Sequence, residues 1–200
     1  MSIELRKRIT LHNEKGEETY DSGDLPSNSF VRQFLDQLQV MFGNVVAPIG
    51  YVKTTAAVMY KAVNDTFWSS ADYPISIDND LDDANWGILI GDDATTPEAN
   101  DNFRLDSVIA AGAGAGQVNY GITTWAAGVT VDGDECSWSF NRVMTNNSGA
   151  GIEVKEIGAY IRIQSSPIHY AMILRDTLTP TITIPDGETM TVQYTLKTVV

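Results

Sequence analysis

Carboxylates at alternate positions are the first chemistry the chain offers. Asp78, Asp80 and Asp82 stand in the run Asp78-Asn79-Asp80-Leu81-Asp82-Asp83, and oxygen ligands spaced in this way can converge on calcium. The spacing fits the first half of an EF-type loop. The sixth position of such a loop needs a glycine and holds Asp83; the twelfth needs a bidentate glutamate and holds Leu89. The run reads better as a solvated acidic loop, with the three aspartates kept as a weak calcium candidate.

Nucleophilic and acid–base chemistry find less support. His12 and His169 lie far apart in the chain, and a catalytic histidine needs a nucleophile or carboxylate within reach. There is no G-x-S-x-G elbow, P-loop, dinucleotide fingerprint or H-E-x-x-H. The run Gly112-Ala113-Gly114-Ala115-Gly116 has glycines but no lysine, and no helical pattern comes after it to bind phosphate. Cys136 shares the phase of Trp138 on an alternating strand and reads as a packed thiol. Acid pairs such as Asp92-Asp93, Asp132/Asp134 and Glu153/Glu156 are expected by chance among 26 acidic residues, so none is assigned as a glycosidase pair. Trp68, Trp86, Trp125 and Trp138 make a sugar platform if exposed and a core if buried. No catalytic residue, cofactor site or firm metal site is assigned.

Two charged residues call for a structural role. Glu156 interrupts an apolar strand, and Arg175-Asp176 comes directly after one. A charge among apolar neighbours is costly unless paired or hydrogen-bonded. Glu156 and Arg175 are therefore expected to be polar anchors, paired within the sheet at a separation below about 6 Å.

The composition narrows the ligands further. The 200 residues carry 13 Lys plus Arg against 26 Asp plus Glu, a net charge of −13 and a pI near 4.3. Phosphate backbones and anionic bilayers need clustered cations, so neither nucleic acid nor membrane is expected as a partner. One cysteine rules out an intrachain disulfide framework. The first residues lack an apolar signal core, which implies synthesis and retention in a cytosol. The acidic surface keeps free subunits soluble and apart.

The elements that must position these residues are mostly strands. Ile3–Tyr20 reads as a hairpin around Asn13–Glu17. Phe30, Phe34, Leu35, Leu38, Met41 and Phe42 recur at 3–4 residue spacing, which predicts one amphipathic helix over 27–43, capped by Ser27 or Asn28, stopped by Gly43 and packed on the sheet. Trp86–Ile90 is a short apolar run that suits a strand buried on both faces. Residues 110–117 form a flexible Gly/Ala loop. Cys136, Trp138 and Phe140 alternate with polar residues. The phase slip at Glu156-Ile157-Gly158 predicts a bulge that Gly158 would permit. Residues 182–196 read as a terminal hairpin around Pro185–Glu188, with Gly187 in the turn. The whole, 1–200, is expected to be one mainly β domain: an antiparallel, jelly-roll-like β-sandwich with one N-terminal amphipathic helix.

The C-terminal half resembles virion proteins of tailed bacteriophages. The resemblance rests on Asn146-Asn147-Ser148-Gly149, then Glu156-Ile157-Gly158, then Leu174-Arg175-Asp176, and then Pro185-x-Gly187-Glu188 with Val192, Tyr194 and Leu196. At the other end, Ile9–Gly16 and Ser27-Asn28-Ser29-Phe30 are similar to the opening of such proteins. The two ends span roughly half the chain. The resemblance implies a non-enzymatic structural protein of the virion, without cofactor, of neck, collar or tail type more than capsid decoration. It implies self-association and docking on portal, tail or capsid protein. Glu156, Gly158, Arg175 and Gly187 carry over as fold determinants. The flexible glycine arm, the N-terminal strand and the threonine-rich last strand are the expected contact elements. The alternative is a receptor- or carbohydrate-binding module of a tail tip or fibre.

Overall fold

The computed structural model describes residues 2–27, 30–32, 34–35, 51–53, 59–61, 75–77, 79–125, 128–163 and 168–199. Its strands are β1 (Ser2–His12), β2 (Glu18–Asp21), β3 (Leu25–Pro26), β4 (Tyr51–Lys53), β5 (Met59–Lys61), β6 (Ile75–Ser76), β7 (Gly87–Gly91), β8 (Asn119–Trp125), β9 (Thr130–Asp132), β10 (Glu135–Thr145), β11 (Ile152–Ile163), β12 (His169–Ile184) and β13 (Thr189–Val199). The larger sheet has the order β2-β1-β13-β10-β8, with β3 also on β1 and β9 also on β10. The smaller has the order β12-β11-β6, with β7 also on β11. β4 pairs with β5. Every paired strand is antiparallel.

Period-2 patterning builds the interior. Leu5, Ile9 and Leu11 of β1, Met190, Val192 and Tyr194 of β13, and Phe140 and Met144 of β10 turn one face of the larger sheet inward. They share one core with Ile88, Ile90, Ile157, Ala159, Ile182 and Ile184 of the smaller sheet. β7 is buried at all five residues, as its apolar run requires. β11 is buried on both faces from Glu156 to Ile161. One face is the sandwich interior; on the other lies the segment 92–109, with Leu105 packed over Gly158.

The N-terminal hairpin forms as expected, β1 pairing with β2; the register slips between Val154 and Glu156 and again between Ala159 and Tyr160, on either side of the Glu156–Gly158 step where the sequence predicts a bulge. Three expectations are corrected. The described residues define no helix, so the N-terminal amphipathic helix is unsupported; within that span only Arg32, Phe34 and Leu35 have helical backbone. At the start of the 27–43 span, Phe30 makes a β-bridge with Leu174, and the N–H groups of Val31 and Arg32 donate to Ile173 and Asn100 carbonyls. Phe34 N–H then donates to the Val31 carbonyl. Residues 36–43 lie outside the described residues.

The terminal hairpin is the second correction. β12 and β13 do not pair; the chain crosses between sheets at Pro185–Glu188. Asn146, fully buried, stitches this crossing to the one at 146–151: its Nδ2 donates to the Ala150 and Ile184 carbonyls, and its backbone carbonyl accepts from Gly187 N–H. Third, β13 is a central strand between β1 and β10, and β1 is flanked by β13 on one side and by β2 and β3 on the other. Neither is the free edge the sequence implied. The segment 110–117 closes on itself: Ala111 bridges Val118, and the Gln117 side chain accepts from Gly114 N–H.

Candidate functional site

Arg175 and Asp176 are adjacent on β12, so they project to opposite faces of the smaller sheet. Both are buried. On the outer face, the Arg175 guanidinium meets the Glu156 carboxylate at 2.8 and 3.0 Å, well inside the expected 6 Å limit. Its remaining donors reach Asp106 Oδ2 at 3.2 Å, the Thr96 and Pro97 carbonyls and Asn102 Oδ1. Glu156 Oε1 accepts from the backbone N–H of Asp106 and Ser107 at 2.6 and 3.2 Å, and the Tyr160 hydroxyl oxygen accepts from Leu105 N–H. The ion pair therefore clamps the 92–109 segment onto the sheet. Burial pushes the Glu156 carboxyl above its ordinary range, against the pull of Arg175 and the two backbone donors. Asp106 is also raised by burial, but hydrogen bonds from Thr96 and the charge of Arg175 leave it below its ordinary value. A recess of about 190 Å³ beside Arg175 is lined by Phe30, Val31, Glu98, Ala99, Asn100 and Asn102. Every guanidinium nitrogen is already bonded within the chain, so the recess offers a ligand no free cationic donor.

On the inner face, Asp176 bolts the two sheets together. Its Oδ1 lies 2.7 Å from Lys7 Nζ, and its Oδ2 accepts from Tyr194 O–H at 2.8 Å and Ser27 O–H at 2.9 Å. Burial drives the Tyr194 hydroxyl far above its ordinary pKa, and the Asp176 charge adds to this. A third buried charge, Arg142 of β10, has no carboxylate partner among the described residues. It donates to the carbonyls of Gly121, Trp86, Ile88 and Asp83 and lies 4.5 Å from the Tyr120 ring centroid. Burial lowers it to about 10, with Tyr120 and Asp83 opposing.

The larger sheet opens to solvent at one end. Three rows of its inward face can be followed by register. Lys7, Tyr194, Phe140 and Trp125 form one row; Leu5, Leu196 and Trp138 the next; Ile3, Thr198, Cys136 and Val131 the last. Tyr194 and Phe140 are buried, Trp138 and Leu196 half-buried, and Ile3 and Val131 are 66% and 69% exposed. The inward face thus runs out past its cover. Its rings stack outward in series: Tyr194 to Phe140 at 5.7 Å, Phe140 to Trp138 at 5.6 Å, and Trp138 to Trp125 at 5.3 Å. Trp125 is 47% exposed and Val129 66%. A shallow recess of about 320 Å³ here is lined by Trp125, Gly128, Val129, Trp138 and Ser139.

Parts of the β12, β7 and β8 margins are closed by the chain's own loops, while β2 and β3 at the far side of the larger sheet are exposed. On β12, Leu174 is bridged by Phe30, and Thr177 N–H donates to the Glu98 carboxylate. Beyond β7, Gly91 bridges Val108 and Ile109 N–H donates to Ile90. β8 is tied near Tyr120 and Thr123 by Asp82 and Asn79. The edge strand β9 is exposed along its length and sits beside the apolar end.

The other sequence candidates are scattered. Asp78 lies outside the described residues. Asp80 and Asp82 are exposed, Asp83 binds Asn85 and Trp86 through its carboxylate, and no group of three metal-ligating side chains forms among the described residues. His12 is on the larger sheet and His169 on the smaller. Gly158 has no positive φ; it is needed because an added Cβ would sit 2.9 Å from Leu105 Cδ2. Gly187 has φ +79°, as its turn requires. Trp86 is core, and Trp68 lies outside the described residues. Sequence reasoning misses the buried roles of Lys7, Asp176, Tyr194 and Arg142. The signal is present: each shares the phase of buried apolar residues on its own strand.

No protein-family model, curated protein or solved structure matches the chain.

Proposed function

We propose that this chain is a non-enzymatic structural component of a tailed-bacteriophage particle, made in the host cytoplasm and resident in the virion. It belongs to the neck, collar or tail and associates with its own copies and with other virion proteins. The observation that carries the reading is the open end of the larger sheet. There the core rings run without interruption to exposed Trp125, Val129, Val131 and Ile3 beside the edge strand β9. Exposed apolar patches continuous with a core mark interaction surfaces, and an edge strand offers unpaired backbone groups to a partner.

The buried charges support the same reading. Arg175, Glu156, Asp106, Lys7, Asp176 and Arg142 all direct their hydrogen bonds to holding loops and sheets in place, which makes a rigid body for docking. The order of motifs at both ends of the chain adds the resemblance to virion proteins. The test is the size of the purified chain alone and mixed with portal, tail or capsid protein, with Val131→Asp as the control.

A receptor- or carbohydrate-binding module of a tail tip is the second reading, favoured by exposed Trp125. The recess around it is lined by no carboxylate, so it lacks the charged acceptors that would orient sugar hydroxyls. Quenching of tryptophan fluorescence by a glycan panel separates the two readings.

A further inference from the structure

We propose that Lys7 and Asp176 join in an intramolecular amide, Nζ to Cγ, that fastens the first strand to β12 across the sandwich. Three features place the reacting groups. The nucleophile is in position: Lys7 Nζ lies 2.7 Å from Asp176 Oδ1, so the carboxyl carbon is one bond further on, and holding both groups in this geometry removes most of the entropic barrier to attack. The charge that develops is provided for: Tyr194 O–H and Ser27 O–H both donate to Oδ2, at 2.8 and 2.9 Å, an oxyanion site of two preorganised donors. The site is dry: Lys7 and Asp176 side chains are 10% and 3% exposed, and Tyr194 is fully buried.

The sheet register fixes the arrangement. Tyr194 is the cross-strand partner of Lys7. Ser27 is held by its own N–H on the Leu5 carbonyl, one inward position before Lys7. Both hydroxyls therefore face the carboxylate that β12 brings from the other sheet.

The step balances without any added reagent. One Nζ proton passes to Oδ1, leaving an amine and a carboxylic acid. The amine electron pair attacks Cγ, and Oδ2 takes the negative charge beneath Tyr194 and Ser27. A second Nζ proton moves to Oδ1, the Cγ–Oδ1 bond breaks, and Oδ1 leaves as water. Oδ2 returns to a carbonyl. The products are one secondary amide and one water; nothing is oxidised or reduced. The staple closes a loop of sequence separation 169, so β1 and β12 cannot be pulled apart at Lys7 and Asp176 without breaking a covalent bond. That suits a subunit under mechanical load.

Intact-mass measurement on the purified, folded full chain tests the proposal. The wild-type mass should fall short of the sequence mass by one water. Proteolysis should yield a branched peptide joining the Lys7 and Asp176 segments. Lys7→Arg and Asp176→Ala should each show the full sequence mass, and Tyr194→Phe should slow the conversion in a time course after refolding. A cooperatively folded wild-type chain that keeps its full sequence mass after prolonged incubation overturns the proposal. So does a water loss that maps to a single unbranched peptide, as cyclisation at Asp132-Gly133 or Asp186-Gly187 would give. Neither result depends on whether the subunit assembles.

Discussion

Removing Glu156 should unlatch the 92–109 segment and cost a large part of the fold's stability. In Glu156→Ala, the fully buried Arg175 guanidinium loses two contacts at 2.8 and 3.0 Å and keeps Asp106, whose 3.2 Å contact is its one remaining carboxylate. Breaking a buried pair from one side costs about 3–5 kcal/mol. The N–H groups of Asp106 and Ser107 lose their acceptor as well. At about 1 kcal/mol each for donors that water can partly reach, the sum is about 5–7 kcal/mol. For a chain of this size that lowers Tm by about 10–28 °C. Glu156→Gln keeps an oxygen for the two N–H groups and loses the charge, so it should fall between, at about 1–3 kcal/mol. Urea unfolding followed by circular dichroism measures both. Amide exchange should show Leu105, Asp106 and Ser107 losing protection before the rest of the sheet. A cost below about 1 kcal/mol for Glu156→Ala, or unchanged exchange at those three amides, would refute the clamp, since ordinary surface substitutions already reach half that value.

The other predictions address the core, the pH response and the open end. Gly158→Ala forces a methyl against Leu105 and Tyr160, so it should cost about 1–3 kcal/mol by overpacking, read as a lower urea midpoint. Arg142→Met removes the group that satisfies four carbonyls and should cost at least about 2 kcal/mol by the same measurement, because unpaired buried acceptors cost about 1–3 kcal/mol each. Tyr120, Tyr160 and Tyr194 are raised, chiefly by burial. An acid raised in the folded state contributes its stability below its ordinary pKa of about 10 and loses it as pH climbs. The fold should therefore weaken above about pH 10, with tyrosinate absorbance of these three rings appearing together with unfolding. Val131→Asp at an exposed site should change monomer stability by less than about 0.5 kcal/mol, yet weaken association roughly tenfold or more by losing about 1.5 kcal/mol or more of apolar burial.

Alternation makes much of the fold legible, because a strand with one buried face writes its period into the sequence. Cys136, Trp138 and Phe140 mark β10, the Asn13–Glu17 turn marks the β1–β2 hairpin, and the slip at Glu156 marks the bulge and the partner of Arg175. Period says nothing about which strands pair, however. Pro185–Glu188 looks like a hairpin turn whether the chain folds back in its own sheet or crosses to the other, and here it crosses. The 3–4 residue spacing from Phe30 onward fits a helix, but the described residues define none: Phe30 bridges Leu174, and only Arg32, Phe34 and Leu35 after it have helical backbone. Lys7 stands between Arg6 and Arg8 and looks like part of a wet face, although it shares the phase of Leu5, Ile9 and Leu11. A charged residue in an apolar phase is the sequence trace of a buried polar network, and Asp176 and Arg142 leave the same trace. Trp125 is legible as an aromatic but not as exposed, since the end of the covering sheet is a property of the assembled sandwich.

The proposed role rests on the open, apolar end of the larger sheet joining the subunit to a particle. Light scattering of the purified chain, alone and mixed with portal, tail and capsid proteins, is the decisive measurement. The wild type should form a defined oligomer or complex that Val131→Asp and Trp125→Ser abolish while each variant remains a folded monomer. A wild-type chain that stays monomeric in every mixture, or variants that assemble as well as the wild type, would contradict that role.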